Sequence, residues 1–341
     1  MRLIEKVWFE GHRAKWWLVP LLLPLTALFY LLSSVRRIAF SFGFFKSFRV
    51  SKPVIVVGNI GVGGNGKTPI VIHLVELAKT LGFKPGVISR GYGGKAEIYP
   101  YVLSSSSTAH EAGDEPILIF KRCDVPVVVG SDRVANAQKL IELGCDVIIS
   151  DDGLQHYRLQ RDLDIIVVDG KRLFGNGLLL PAGPLREGVW RLKNADMLIY
   201  NGESKTNGDY YQFSNNSSLM TLVATKLCHM QTGKEVGLAD FLTKHIEVNA
   251  IAGIGSPQRF FDTLQSLGFN LIEQKGFIDH KDFKSDDFNQ FKNDLPLLMT
   301  EKDAVKCQKF VQSNWWYLPV DAQFSEQDEQ LLVERVKKLA S

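Results

Sequence analysis

One stretch, GVGGNGKT from Gly61 to Thr68, constrains this chain more than any other. It fits the pattern G-x-x-x-x-G-K-[ST] without a mismatch, through Gly61, Val62, Gly63, Gly64, Asn65, Gly66, Lys67 and Thr68. VIVVGNI before it reads as a buried strand, and PIVIHLVELAKTLG after it carries apolar residues at helical spacing. Strand, glycine loop and helix together are the context in which such a match becomes a phosphate site. Glycines let consecutive N–H groups turn inward, and the helix N-terminus adds its positive end. Lys67 is then expected against the β- and γ-phosphates, with the Thr68 hydroxyl on Mg²⁺ and Pro69 in the first helical turn, where a missing N–H costs little. A tight glycine turn without a ligand is the plain alternative; the intact Gly-Lys-Thr and its flanks favour a nucleoside triphosphate.

The surrounding pattern predicts an α/β fold. From Val54 to about Tyr200, short apolar runs (VIVV, KPGVIS, PVVVG, DVIIS, DIIVVD, DMLIY) alternate with helical stretches. Continuous rather than alternating apolar strands signal a parallel sheet covered on both faces. The polar, turn-rich NGESKTNGDYYQFSNNSS, 201 to 218, reads as a boundary. A second α/β series follows: VNAIAGIG, a helix over PQRFFDTLQSLG, FNLIEQKGF, PLLMT, a short helix, WWYLPV and a charged terminal helix. We therefore expect a segment 1–52, a parallel-sheet domain of the P-loop NTPase type over 53–205, and a second, smaller α/β domain over 206–341 that contributes to a cleft. AGIGSP lacks the third glycine of a dinucleotide fingerprint, so it reads as a strand-to-helix turn.

Charge is unevenly spread. Residues 1–52 hold nine Lys/Arg and two Asp/Glu, against 31 and 35 in the rest. Within this basic segment, WWLVPLLLPLTALFYLL, 16 to 32, is 17 uncharged residues, about 25 Å as a helix and short of a hydrocarbon core of about 30 Å. Arg13 and Lys15 precede it, while Arg36 and Arg37 follow. Basic residues on both sides favour a membrane-associated helix with both ends on the cytoplasmic face, over a signal peptide or a buried core helix. FSFGFFKSFRV continues the theme with interleaved aromatics and cations. The four cysteines, Cys123, Cys145, Cys228 and Cys307, lie far apart without a C-x-x-C pair, which speaks for a reducing compartment. Nothing points to nucleic acid or to an obligate protein partner.

VIISDDGLQH places Asp151 and Asp152 at the end of a buried strand, where a Walker B aspartate holds Mg²⁺. They are expected to point to different sides, one toward the metal or its water and the other toward a supporting donor. In LPAGPLRE, Arg186 and Glu187 are candidates for a phosphate and a metal respectively, or for a surface ion pair. SRGYGGK, 89 to 95, is a flexible basic loop after a strand. In GDEP, 113 to 116, Asp114 or Glu115 reads as a helix cap with Pro116 in the first turn. In FIDHKDF, 277 to 283, His280 beside Asp279 is a structural histidine or one oriented for proton transfer.

This set of motifs resembles the tetraacyldisaccharide 4′-kinase family of lipid A biosynthesis in Gram-negative bacteria. The resemblance covers nearly the whole chain: the apolar N-terminus, GNIGVGGNGKTP, SRGYGG, GDEP, DDGLQH, LPAGPLRE, FIDHKDF and TEKDAVK at 300 to 306. It implies transfer of the γ-phosphate of ATP, with Mg²⁺, to the 4′-hydroxyl of a tetraacylated glucosamine disaccharide 1-phosphate. The product is lipid IVA, made at the cytoplasmic face of the bacterial inner membrane. It also implies that Asp114 and His280 form a catalytic pair, assisted by Lys67 and Arg186. A membrane-associated P-loop nucleotide switch or ATPase is the rival reading. Against it, Val62 stands where switch-like relatives carry a signature lysine, and TEKD has the wrong spacing for a guanine-reading N-K-x-D. A soluble small-molecule kinase whose apolar N-terminus packs in its core is a third.

Overall fold

Strands buried on both faces need helices on both sides, and the chain supplies them in alternation. The computed structural model describes residues 3–202, 216–279, 281–291 and 294–340. Two helices lead, α1 (Leu3–Phe9) and α2 (Lys15–Ser41). The nucleotide-loop region follows as β1 (Val54–Gly58), α3 (Lys67–Thr80), β2 (Pro85–Ser89), β3 (Tyr101–Val102), α4 (Ala109–Ala112) and α5 (Asp114–Cys123). It continues through β4 (Val127–Val129), α6 (Arg133–Glu142), β5 (Val147–Asp151), β6 (Leu163–Asp169), β7 (Met197–Asn201) and β8 (Ser217–Val223). Next come β9 (Lys226–His229), β10 (Glu235–Gly237), α7 (Leu238–Leu242), β11 (Glu247–Ala252), α8 (Pro257–Ser266) and β12 (Asn270–Gly276). The chain ends with β13 (Leu297–Thr300), α9 (Glu301–Cys307), β14 (Trp315–Leu318), β15 (Asp321–Gln323) and α10 (Glu326–Lys337).

The first sheet has nine strands in the order β15-β8-β7-β6-β1-β5-β2-β4-β3, parallel except at its two edge strands. Strand β1 lies between β5 and β6, so the chain winds one way after it and the other way later. Ligands of open α/β sheets sit at such a switch point, beyond the carboxyl ends of the strands. Ile70 and Leu74 of α3, Ile117 of α5 and Leu332 and Val336 of α10 pack one face of the sheet. Leu140 of α6, Leu154 and Leu185 cover the other. The second sheet has six strands in the order β10-β9-β14-β13-β11-β12 and its own aromatic core around Phe261, Phe288 and Trp315.

The α/β class and all the predicted strands appear, but sheet membership does not follow the expected division at 205/206, which itself lies outside the described residues. Strand β8 extends the first sheet, and after β14 the chain returns to it: β15 pairs antiparallel with β8. Helix α10 then seats on α3, where His73 Nε2 lies 3.0 Å from a Glu329 carboxylate oxygen. Short local sequence carries no sign of that return, because it is decided by the free edge of β8 and the apolar face of α3.

Helix α2 also differs from expectation. It runs for 27 residues with Pro20 and Pro24 inside it, about 40 Å, and is long and apolar enough to cross a membrane. Arg36 and Arg37, which follow the apolar run, lie in the last part of the same helix. One flank is docked: the Thr26 hydroxyl donates to the Leu179 carbonyl at 3.4 Å and accepts from the Ala182 amide at 3.0 Å. Arg37 stacks on Trp190 at 4.6 Å, and Phe40 meets Tyr157 at 5.9 Å. The opposite flank shows Leu21, Leu25, Leu28, Leu32 and Val35 to the outside, a helical stripe of exposed apolar side chains.

Candidate active site

The phosphate loop links β1 to α3 and is held from several sides. The Val62 amide donates to the Pro184 carbonyl at 2.9 Å. Asn201, at the end of β7, donates its side-chain amide to the Asn65 carbonyl at 3.1 Å. Gly66 caps α3 with φ of 91°, in the left-handed region, and the Asn201 amide occupies the space a Cβ would need. Any side chain at 66 therefore meets both a backbone penalty and a clash. Lys67 and Thr68 open the helix, half-buried, with their backbone at its positive end.

The charges around Lys67 interlock. Its ammonium donates to Asn59 Oδ1 at 3.4 Å and lies 3.6 Å from Asp152 Oδ1. Arg186 Nη1 reaches Asp152 Oδ2 at 3.2 Å. Burial would raise the Asp152 carboxyl, but Lys67 and Arg186 outweigh it and hold the group below the usual carboxylate range. Asp152 also carries a φ of 48°, in the left-handed region that Asp enters more readily than most side chains.

Asp151, one residue earlier and at the end of β5, has the opposite environment. Burial pushes its carboxyl up, Glu115 and Asp152 add to that, and Lys67 and Arg133 only partly oppose it. Ser89 donates to its Oδ2 at 3.4 Å, while Oδ1 is buried with no hydrogen-bond partner among the described residues. The two adjacent acids thus meet opposite surroundings, cations outweighing burial at Asp152 and burial outweighing them at Asp151. Among the described residues no three His, Cys, Asp or Glu gather into a metal cage. Mg²⁺ is usually held by one or two carboxylates with substrate phosphates rather than by an all-protein shell. The donor set offered by Asp152, Thr68 and the unsatisfied Asp151 oxygen suits that ion.

Glu187 stands apart from these groups. Its backbone amide, like that of Arg186, donates to the Ile60 carbonyl, and its side chain turns into the interior, 3% exposed. There the Tyr157 hydroxyl donates to Oε2 at 2.7 Å and Arg191 Nε lies 3.8 Å away. The alternative surface ion pair with Arg186 gives way to this buried network, while Oε1, like Asp151 Oδ1, is buried with no hydrogen-bond partner among the described residues. Consecutive residues here point to opposite sides of the segment, so only Arg186 faces the site.

Asp114 is the first residue of α5, and the cap is Gly113, so the expected capping role is corrected by one position. Gly113 has φ of 87°, and a Cβ on it would stand 2.7 Å from the Tyr92 carbonyl. The SRGYGG loop thus packs its backbone against the turn that presents Asp114; its glycines allow that approach. Asp114 is 6% exposed, and Oδ1 accepts from the Glu115 amide at 3.1 Å.

The second sheet reaches this edge at three points. Arg259 of α8 forms a two-pronged pair with Asp169 at the end of β6, at 2.5 and 3.0 Å. Gly255, in the AGIGSP turn, comes within 3.9 Å of the Gly64 amide, measured from the place its Cβ would take. Lys302, in the first turn of α9, lies 3.7 Å from Asp114 Oδ2, 3.1 Å from Glu115 Oε1 and 3.4 Å from Asp279 Oδ1. His280 lies outside the described residues, but its neighbour Asp279 is at this cluster. Sequence reading passed over Asp169, Arg259, Asn201 and Lys302. Lys302 carried a local signal within TEKDAVK, and Asp169 one as the acid that ends DIIVVD; Arg259 and Asn201 act across distances that no short window spans.

The chain is similar to known proteins over nearly its whole length. The model of the family described as tetraacyldisaccharide-1-P 4′-kinase matches residues 18–339. The tetraacyldisaccharide 4′-kinase of Colwellia psychrerythraea is 64% identical over 99% of this chain and 98% of its own length. That of Psychromonas ingrahamii is 51% identical over 97% and 98%. The crystal structure of LpxK from Aquifex aeolicus in complex with ATP superposes with a TM-score of 0.77 at 30% identity, covering 94% of this chain and 99% of that one. With its phosphate loop, split acid pair and glycine-presented aspartate on one sheet edge, this chain belongs to the tetraacyldisaccharide 4′-kinase family.

Proposed function

We propose that the chain transfers the γ-phosphate of ATP to the 4′-hydroxyl of a tetraacylated glucosamine disaccharide 1-phosphate, forming lipid IVA. One observation carries the reading: the phosphate loop and the start of α5 with Asp114 lie at the same edge of one sheet, and the exposed apolar helix α2 docks on the 179–190 segment that contacts that loop. Phosphoryl transfer needs positioning and charge neutralisation more than covalent help. Amides of the loop from Gly61 to Gly66 cradle the phosphates, and Lys67 lies against the transferring group. Thr68 and Asp152 would hold Mg²⁺, with Asp151 behind them, and a bound ion there would supply charge neutralisation for the phosphates. Arg186 offsets charge on the departing oxygens. Asp114, paired with His280, takes the proton of the sugar hydroxyl as that oxygen attacks phosphorus, and the bond to ADP breaks.

The docked flank of α2 supports an anchor lying in one leaflet at the cytoplasmic face of the inner membrane. Contacts at Thr26, Arg37 and Phe40 hold one flank of this stretch against the nucleotide-binding core, which supports that placement. The exposed stripe then meets acyl chains, and flanking cations meet anionic headgroups. The test is transfer from γ-labelled ATP to the disaccharide in mixed micelles. Label on the lipid, lost by about 10²-fold or more in Asp114→Ala, is the expected result. ATP turnover with no lipid labelling would instead support a membrane-associated nucleotide switch.

A further inference from the structure

Lys302 occupies a place where a lysine is costly. It sits in the first turn of α9, whose N-cap Thr300 accepts from the Asp303 amide, so the positive end of the helix opposes its charge. Its side chain is only 17% exposed. What offsets both penalties is a set of three carboxylates within 3.7 Å, drawn from two parts of the fold. Asp114 and Glu115 come from the start of α5 on the first sheet. Asp279 comes from the loop after β12 on the second sheet, immediately before His280 in sequence.

The neighbouring residues lock the same junction. Glu301 takes an ion pair from Arg122 at the far end of α5, at 2.6 Å. Asp303, fully buried, accepts from the Gly253 amide at 2.8 Å, within the AGIGSP turn that approaches the phosphate loop. The segment TEKD therefore fastens α9 to α5 on one side and to the AGIGSP turn on the other. Within it, only Lys302 touches both Asp114 and the residue next to His280.

We infer that Lys302 is a positioning residue for phosphoryl transfer: its ammonium ties Asp114 to the loop carrying His280 and so aligns the proton acceptor with the phosphate loop. This rests on the kinase reading above. Its action is through Asp114 rather than on the reacting atoms, so its loss falls on turnover. A flexible, compact ammonium with three donors suits three separate oxygens.

The experiment compares the full chain with Lys302→Met, Lys302→Arg and Asp279→Asn in the mixed-micelle transfer assay, with folding followed by circular dichroism. Lys302→Met is expected to lower kcat about 30-fold while KM for ATP stays within about twofold, the signature of a lost transition-state alignment. Lys302→Arg, which keeps the charge, should recover kcat to within about fivefold of the unaltered chain. Asp279→Asn, at a third-exposed carboxylate, should fold normally and lower kcat about fivefold. A folded Lys302→Met chain with undiminished kcat, or one whose loss falls on KM for ATP instead, overturns the inference. Should Lys302→Met not fold, an unchanged kcat in Asp279→Asn overturns it. No lipid label from the unaltered chain overturns the kinase reading and this inference with it; label from that chain, with full kcat in the variants, overturns this inference alone.

Discussion

The two ends of the site are built differently. At the nucleotide end, Gly61 to Thr68, Asp151, Asp152 and Arg186 all belong to the first sheet and its loops, and their charges are matched there. At the acceptor end, Asp114 is held by Lys302 from α9, and its partner loop comes from the second sheet. A nucleotide presents the same phosphates to every enzyme of this type, so a local loop suffices. The Asp114 end instead draws its charges from both sheets, which Lys302, Glu301 and Asp303 fasten to each other.

The comparison is sharpest at Lys67. Lys67→Ala should lower kcat by about 10³-fold with the fold intact, since it removes the charge facing the transferring phosphate. A loss under tenfold would mean that the nucleotide end is not self-contained. Next, Arg259→Gln leaves the buried Asp169 with only the Lys171 and Arg172 amides on its Oδ1, and should cost about 2 kcal/mol in denaturant unfolding. Because that pair joins the sheets, it should lower kcat more than it weakens binding of an ATP analogue. Equal losses in both would erase the distinction between the two ends.

Thr26→Val, which removes the hydroxyl that links α2 to Leu179 and Ala182, should cost about 1 kcal/mol of stability. Its activity loss should be larger on micellar lipid than in ATP binding, and equal loss in both would argue against a substrate-facing role for the helix. The smallest effect concerns pH. Burial pushes the His156 imidazole down to about 4, with Arg133 adding and Asp132 opposing. The unfolded chain titrates near 6.5, so it binds the extra proton first and stability falls as pH drops from about 6.5 toward 4. Above that window the contribution is intact. His156→Gln should flatten this part of the curve in urea midpoints measured from pH 7 to 4.

Much of the nucleotide end is legible in the residues alone. GNGKT fixes a strand, a loop and a helix in order, because glycine, lysine and threonine at that spacing have few other uses next to an apolar strand. VIISDD reads as a strand ending in acids because its apolar run stops there. Glu187 shows the limit: its carboxylate and the Arg186 guanidinium are neighbours in sequence, yet one faces Tyr157 in the interior and the other Asp152. Sequence spacing does not tell which of two adjacent side chains a loop will bury.

By itself, the sequence determined the α/β alternation, the phosphate loop, the apolar N-terminal helix and, through its motifs together, the family. These rest on local geometry, in which periodicity and glycine placement act over a few residues. Tertiary structure alone decided that α2 docks along one flank, that β15 and α10 return to the first sheet, that SRGYGG braces the turn before Asp114, and that Lys302 joins α5 to the second sheet. Each of these is a contact between segments far apart in the chain, selected by which apolar faces and charges are left to be covered once the local elements have formed.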